Sequence, residues 1–243
     1  MIPPDHPRYR SLVTRELLAE SVKKGIVTLE GLTAQGRGEA FDYFIGERTS
    51  VSALRAERTA AALLLAARHP VISVNGNAAA LAAREIAALQ KASGALVEVN
   101  LFHRTEERVR LIEDLLRSAG SEVFSGPAER LLPLSHDRAW CRREGMFSAD
   151  VILVPLEDGD RCEALVTMGK TVIAVDLNPL SRTSRRATLT IVDELTRALP
   201  NISEACRTLT RSERQELKSS LDNNYLLSEA IREMTMRLSH ALD

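Results

Sequence analysis

Apolar positions along the chain follow three different rhythms. Near the start, Tyr9, Val13 and Leu17 recur every fourth residue, which predicts a helix. Asp5 and Pro7 suit its opening turn, Lys23 and Lys24 its negative end, and Gly25 a left-handed stop. Gly31, Gly36, Gly38 and Gly46 then punctuate a stretch that reads as a glycine-rich loop, and residues 51–68 read as an alanine-rich helix. From residue 70 short β-branched runs alternate with helical patterns: a strand at Val71–Val74, a helix ending near Gly94, a strand at Leu96–Leu101 and a helix at Arg104–Ala119. Glu122–Ser125 reads as a brief third strand, and Val151–Pro155, Thr171–Asp176 and Leu189–Val192 as three more. The runs at 151–155 and 171–176 are apolar without alternation, as strands covered on both faces are.

Strands alternating with helices over roughly 100 residues imply a parallel sheet joined by right-handed crossovers. After Pro200 the pattern is helical to the end. Thr210 and Glu213 have the spacing of a capping box, Asn223-Asn224 can break the segment, and Leu217, Leu221, Ile231, Met234 and Leu238 form an apolar stripe that covers the sheet or meets a second subunit. The expected organisation is one α/β domain over 1–243: N-terminal helices and a glycine-rich loop (1–69), the sheet core (70–200) and C-terminal helices (201–243).

Composition narrows the function classes. A formal net charge of -1 gives no basic excess for nucleic acid or an anionic membrane, and 4% aromatic residues leave little for base stacking. The apolar run Ala60–Ala67 falls far short of the roughly 20 residues that cross a bilayer, and the N-terminus lacks the apolar core of a signal peptide. Cys141, Cys162 and Cys206 are odd in number and widely spaced, which supports neither a disulfide framework nor a zinc knuckle and fits a reducing, cytoplasmic setting.

Open parallel sheets bind ligands beyond the carboxyl ends of their strands. Four such ends carry polar clusters: Asn75-Gly76-Asn77, Asn100 to Arg104, Glu157 to Arg161, and Asp176 to Thr183. Asn75-Gly76-Asn77 suits an anion held at a helix N-terminus, or an ordinary turn capped by Asn77. Neither a dinucleotide fingerprint nor a Walker loop is present. Arg37 sits between Gly36 and Gly38, where small neighbours let its guanidinium fork onto phosphate or carboxylate oxygens. Arg15 lies off the apolar stripe and reads as a surface charge. Glu157, Asp158 and Asp160 suit Mg²⁺, a substrate ammonium, or a solvated acidic loop. Asp176 and Asn178 suit a ribose or other polar group, and Arg182-Thr183 a phosphate, with Arg185 and Arg186 adding positive charge. His103 and His136 fall near these ends without a partner at readable spacing.

The segments Gly31–Tyr43, Val71–Asn77, Val97–Arg108, Ala149–Arg161 and Gly169–Thr183 together resemble the archaeal phosphopantothenate synthetases (4-phosphopantoate–β-alanine ligases), and the likeness runs from about Pro3 to Pro200. It implies a Rossmann-like homodimer in coenzyme A synthesis that joins 4-phosphopantoate to β-alanine with ATP, releasing AMP and diphosphate. Carried over by position, the ATP contacts are Arg15, Arg37, Asp176, Leu177, Asn178, Arg182, Thr183, Glu194 and Leu195, which replaces the surface reading of Arg15. Arg37 and Arg182 are the expected catalytic charges. Asn75, Asn77 and Arg104 are expected at phosphopantoate, and Glu157 and Asp158 at Mg²⁺ or the β-alanine ammonium. Position 194 is often asparagine in the family and is glutamate here, a change that a backbone contact to adenine survives. A nucleotide-sensing protein without turnover is the alternative on the same fold. A nicotinamide-dependent dehydrogenase would need the glycine fingerprint that the chain lacks.

Overall fold

The structure, a computed structural model, describes residues 2–3, 5–6, 8–156 and 158–241. Three helices come first: α1 (Tyr9–Lys23), α2 (Leu29–Ile45) and α3 (Val51–Ala66). There follow β1 (Pro70–Val74), α4 (Gly76–Ser93), β2 (Leu96–Val99) and α5 (Glu106–Ser118), then a two-stranded antiparallel ribbon, β3 (Glu129–Arg130) with β4 (Trp140–Cys141). The rest is β5 (Val151–Pro155), α6 (Gly159–Thr167), β6 (Thr171–Val175), α7 (Arg182–Arg186), β7 (Leu189–Ile191), α8 (Leu195–Thr208), α9 (Arg211–Ser219) and α10 (Asn223–Ser239). Among the described residues no helix is long and apolar enough to cross a membrane.

The main sheet has five strands in the order β2-β1-β5-β6-β7, and every pair is parallel. The chain leaves β1 toward β2, then returns to the other side of β1 with β5. Strand order therefore reverses between β1 and β5, the place where open α/β sheets put their ligand crevice. Alternate residues serve two apolar layers. Ile72, Val74, Leu153, Ile173 and Val175 pack with residues of α3, α4 and α8, whereas Val71, Ile152, Val154, Val172 and Ala174 pack with Cys162, Leu165 and the segment around the ribbon. Each such Val, Leu or Ile side chain, fully buried, stabilises the fold by about 1.5–3 kcal/mol. This is a Rossmann-like arrangement with helical additions at both ends.

Several expectations need correction. The glycine-punctuated stretch is a helix, α2, not a loop: Thr28 accepts from the Gly31 amide at 3.2 Å to open it, and Gly46 closes it at φ 92°. α1 begins at Tyr9 with no side-chain cap, so Asp5 does not open it; Pro7 lies outside the described residues. Its buried face is Leu18 and Ser21, while Val13 and Leu17 are exposed. Glu122–Ser125 makes a single bridge, Val97 to Val123, rather than a strand. α8 starts at Leu195 and carries Pro200 inside it. In α10 the buried positions are Leu226, Leu227, Ala230 and Met234; Ile231 and Leu238 face outward.

One face of the sheet also holds buried charge. Glu98, fully buried on β2, accepts from the backbone amides of Arg142 (2.8 Å) and Met146 (2.7 Å). Arg142 Nη2 reaches Glu113 on α5 at 2.9 Å, and the fully buried Arg161 donates to Ser73 Oγ on β1 at 3.0 Å. These bonds pin the segment between α5 and β5 against the sheet. They satisfy groups whose burial without partners would cost several kcal/mol each.

Candidate active site

The loop after β6 is held tightly by its own polar groups. Asp176 Oδ1 accepts from the Asn178 amide at 2.9 Å, and its Oδ2 accepts from the Ser181 hydroxyl. Asn178 Oδ1 accepts from the Leu180 amide (2.9 Å), and Ser184 Oγ donates to the Asn178 carbonyl (2.7 Å). Burial raises the Asp176 carboxyl above its ordinary value, opposed by these hydrogen bonds and by the charge of Arg37. Arg37 thus stands over this loop, carried by α2. The contact that brings the helix there is Gly38, where a Cβ would lie 3.8 Å from Leu177 Cδ1. Among the described residues no hydrogen bond or ion pair engages the exposed Arg37 side chain, which is therefore available to an anion.

Arg182 opens α7 at the end of the same loop, with its aliphatic stem against Gly159 at the start of α6. Its Nη2 pairs with Glu163 Oε2 at 2.5 Å, and this hydrogen bond raises the guanidinium pKa further. Thr183 follows and is buried. Glu194 caps α8 by accepting from the Thr196 amide at 2.7 Å, and burial raises its carboxyl despite those bonds; Leu195 beside it is buried. Arg15 lies on α1, where its Nε and Nη2 both donate to Glu39 Oε2 at 3.0 and 2.9 Å. Burial would raise Glu39, but hydrogen bonds from Ser11, Tyr43 and Arg15 hold it below the usual carboxylate range. Arg15 is thus tied to α2, the helix that bears Arg37.

At the strand reversal, Asn75 bridges β1 and β5: its Nδ2 donates to the Pro155 (3.1 Å) and Leu156 (2.9 Å) carbonyls. Its Oδ1 accepts from the Ala78 amide at 2.9 Å, so Asn75, not Asn77, caps α4. Leu156 takes a left-handed φ of 54°, a conformation costly for a leucine and held here by that amide. Asn77 Nδ2 donates to the Gly31 carbonyl at 2.8 Å, tying α4 to α2. Gly76 admits no side chain, because a Cβ would collide with the Ile26 carbonyl oxygen. Arg104 is mostly buried, with Nη2 on Glu106 (2.8 Å) and its amide on Asp137 Oδ2 (3.0 Å).

The acidic cluster is neutralised from outside its own segment. Arg138 Nε donates to Asp158 Oδ2 at 2.8 Å, and His136 Nε2 lies 2.7 Å from Asp160 Oδ2. The side chain of His136 stacks on Phe102 with ring centroids 4.7 Å apart. Glu157 lies outside the described residues. Among the described residues no group of three or more His, Cys, Asp or Glu stands where it could hold a metal ion. Arg138 and Arg108 are the residues sequence reasoning missed at these strand ends, and His136, for which the sequence offered no partner, finds one in Asp160. Arg108 Nε donates to the Ile26 carbonyl (3.1 Å) and its Nη1 to the His103 carbonyl (2.8 Å). No spacing rule links Arg138 to Asp158 or His136 to Asp160, because the fold alone brings them together.

Residues 52–237 match a family model described as phosphopantothenate/pantothenate synthetase. The chain belongs to this family. A relative from Methanospirillum hungatei is 59% identical over 243 residues, covering all of both chains, and is named 4-phosphopantoate–β-alanine ligase. Relatives of the same name from Methanosarcina mazei and Thermococcus kodakarensis are 55% and 50% identical, each over 98% of this chain and over 95% and 94% of their own lengths. In this synthetase the matched region begins at Ser52, so α1 and α2, with Arg15 and Arg37, lie ahead of it. The full-length relatives span those helices as well.

Proposed function

We propose that this synthetase joins 4-phosphopantoate to β-alanine at the expense of ATP, forming 4′-phosphopantothenate, AMP and diphosphate, as a step of coenzyme A synthesis. The observation that carries this reading is the 59% identity, end to end, with a relative bearing that ligase name. The chemistry has two displacements. A carboxylate oxygen of phosphopantoate attacks the α-phosphorus of ATP and diphosphate leaves; the β-alanine amine then attacks the acyl carbon, AMP leaves, and the amine loses its proton. The first step brings anions together, so positioning and positive charge govern its rate. Arg37 and Arg182 supply that charge, and Arg15 holds α2 through Glu39. Asp176, Leu177 and Asn178 take the ribose side, Thr183 a phosphate oxygen, and Glu194 with Leu195 the adenine edge.

The crevice between β1 and β5 receives phosphopantoate. Asn75 and Asn77 shape its floor rather than reach far into it, since their side chains already hold backbone carbonyls. Arg104 and the Arg138–Asp158 pair line its polar side, with Asp158 toward the β-alanine ammonium. Any Mg²⁺ arrives with the ATP phosphates, because Asp158 and Asp160 already answer to Arg138 and His136. A cytoplasmic homodimer completes the reading: Ile231, Met236 and Leu238 are exposed on α10 and offer an apolar face to a second copy.

Incubation with ATP, 4-phosphopantoate and β-alanine should release one AMP per amide formed. ADP in its place would reject the adenylate route. Nucleotide binding without product would favour a sensing protein on the same fold. Pantoate assayed beside its phosphate tests whether the phosphate is required.

A further inference from the structure

Glu57, on α3, is fully buried. Its Oε2 accepts from Asn201 Nδ2 of α8 at 2.9 Å, but no donor meets its Oε1. The group whose charge bears on it is another carboxylate, Asp193, which is 1% exposed. Asp193 already has its own donors. Thr49 Oγ1 reaches its Oδ2 at 2.6 Å, and Arg197 Nε and Nη2 reach its Oδ1 at 2.9 and 2.6 Å. Arg197 also clasps Asp42 of α2, with Nη1 at 3.1 Å and Nη2 at 2.5 Å. One guanidinium therefore bonds two carboxylates, and Glu57 is left with Asn201 as its donor. A fully buried carboxylate with one oxygen lacking any donor and a second carboxylate's charge bearing on it is driven toward its neutral form.

We propose that Glu57 is held as a neutral acid whose proton bridges to Asp193, and that this pair, through Arg197 and Asp42, is the positioning device that seats α2, and so Arg37, over the nucleotide site. Asp42 lies about one and a half helical turns beyond Arg37, and Asp193 directly precedes the Glu194-Leu195 pair assigned to adenine. The clamp joins the two parts of the nucleotide site that come from the most distant stretches of sequence. Burial, followed by the charge of Asp193, pushes Glu57 up to about 9. A buried acid so perturbed is a burden on the fold at neutral pH, and such groups gather where a site needs them. Loss of the proton puts a second negative charge against Asp193. Arg197 is then drawn toward that pair and away from Asp42, and α2 loosens.

The inference rests on the ligase reading, and its test separates the two. ATP binding, followed by calorimetry without β-alanine so that no substrate amine titrates, should weaken at least ~10-fold between about pH 7 and about pH 10. Glu57→Gln offers Asp193 an N–H with no proton to lose, so its ATP affinity should stay level over that range; Glu57→Ala should bind weakly throughout. An alkaline loss in Glu57→Gln matching the wild type would overturn the proposal. Infrared spectroscopy gives a reading that needs no activity: the wild type should show a protonated-carboxyl carbonyl band at neutral pH that Glu57→Gln lacks. Absence of that band in the wild type also overturns it. If the band and the pH-dependent ATP binding are present but no AMP forms at any pH, the ligase reading fails and the clamp stands.

Discussion

The side chain of Arg37 makes no hydrogen bond or ion pair among the described residues, which makes it a clean probe of chemistry. Arg37→Ala should lower kcat/KM by about 2 kcal/mol, roughly 30-fold, with little change in melting temperature; near-normal kinetics would remove it from the site. Two glycines give the opposite contrast. At Gly76 a Cβ meets the Ile26 backbone oxygen, whereas at Gly36 nothing lies within 4 Å of one. Gly76→Ala should therefore destabilise by about 1–3 kcal/mol or more, and Gly36→Ala should stabilise by up to about 1 kcal/mol, as denaturant unfolding would measure. The pair also shows what the sequence made legible. The glycines beside Arg37 do not mark a loop: Gly38 lets α2 approach Leu177, and Gly36 is simply open. His136 and Asp160, 24 residues apart, pair only because a ribbon folds back beneath the sheet, and nothing in their spacing announces it.

At the scale of elements, the strands were readable because a parallel strand buried on both faces is an unbroken apolar run, as in Val151–Pro155 and Thr171–Val175. Helices whose stability comes from packing were harder. α2 contains glycines that propensity disfavours, and its contacts with α4, α10 and the loop after β6 override that preference. In α8, Pro200 removes one amide from the ladder, yet Ala198, Leu199 and Ile202 are fully buried and hold the helix across it. Caps, by contrast, were legible wherever the motif is local. Thr210 and Glu213 form the full reciprocal box, each side chain meeting the other's backbone amide, at 3.3 and 2.8 Å. Thr210→Ala should cost about 1 kcal/mol and leave activity intact, since α9 packs on α3, away from the strand ends. A large loss of activity in that variant would mean that α9 reaches the site by a route not seen in its contacts.

For the whole molecule, two groups of opposite sign shape the response to pH. Asp150 accepts from the Arg68 and His69 amides at 2.8 and 3.0 Å, fastening the entry of β1 to that of β5. Burial alone would raise it, but these bonds hold it below its ordinary 3.8. Its contribution is therefore present above that value and lost as pH falls through the lower folded value. Glu57 runs the other way: its contribution is complete below its ordinary 4.5 and disappears as pH rises through about 9. Stability should peak on the mildly acidic side of neutrality. Asp150→Asn should flatten the acid limb and cost on the order of 1 kcal/mol at neutral pH, read from unfolding free energies across pH. The wiring at Gly76 has a further consequence for how the molecule is made. The Ile26 carbonyl is received by Gly76 and Arg108, and the Gly31 carbonyl by Asn77. Helices α1 and α2 precede Arg108 in synthesis, so this corner stays unfinished at least until the chain through Arg108 has followed them.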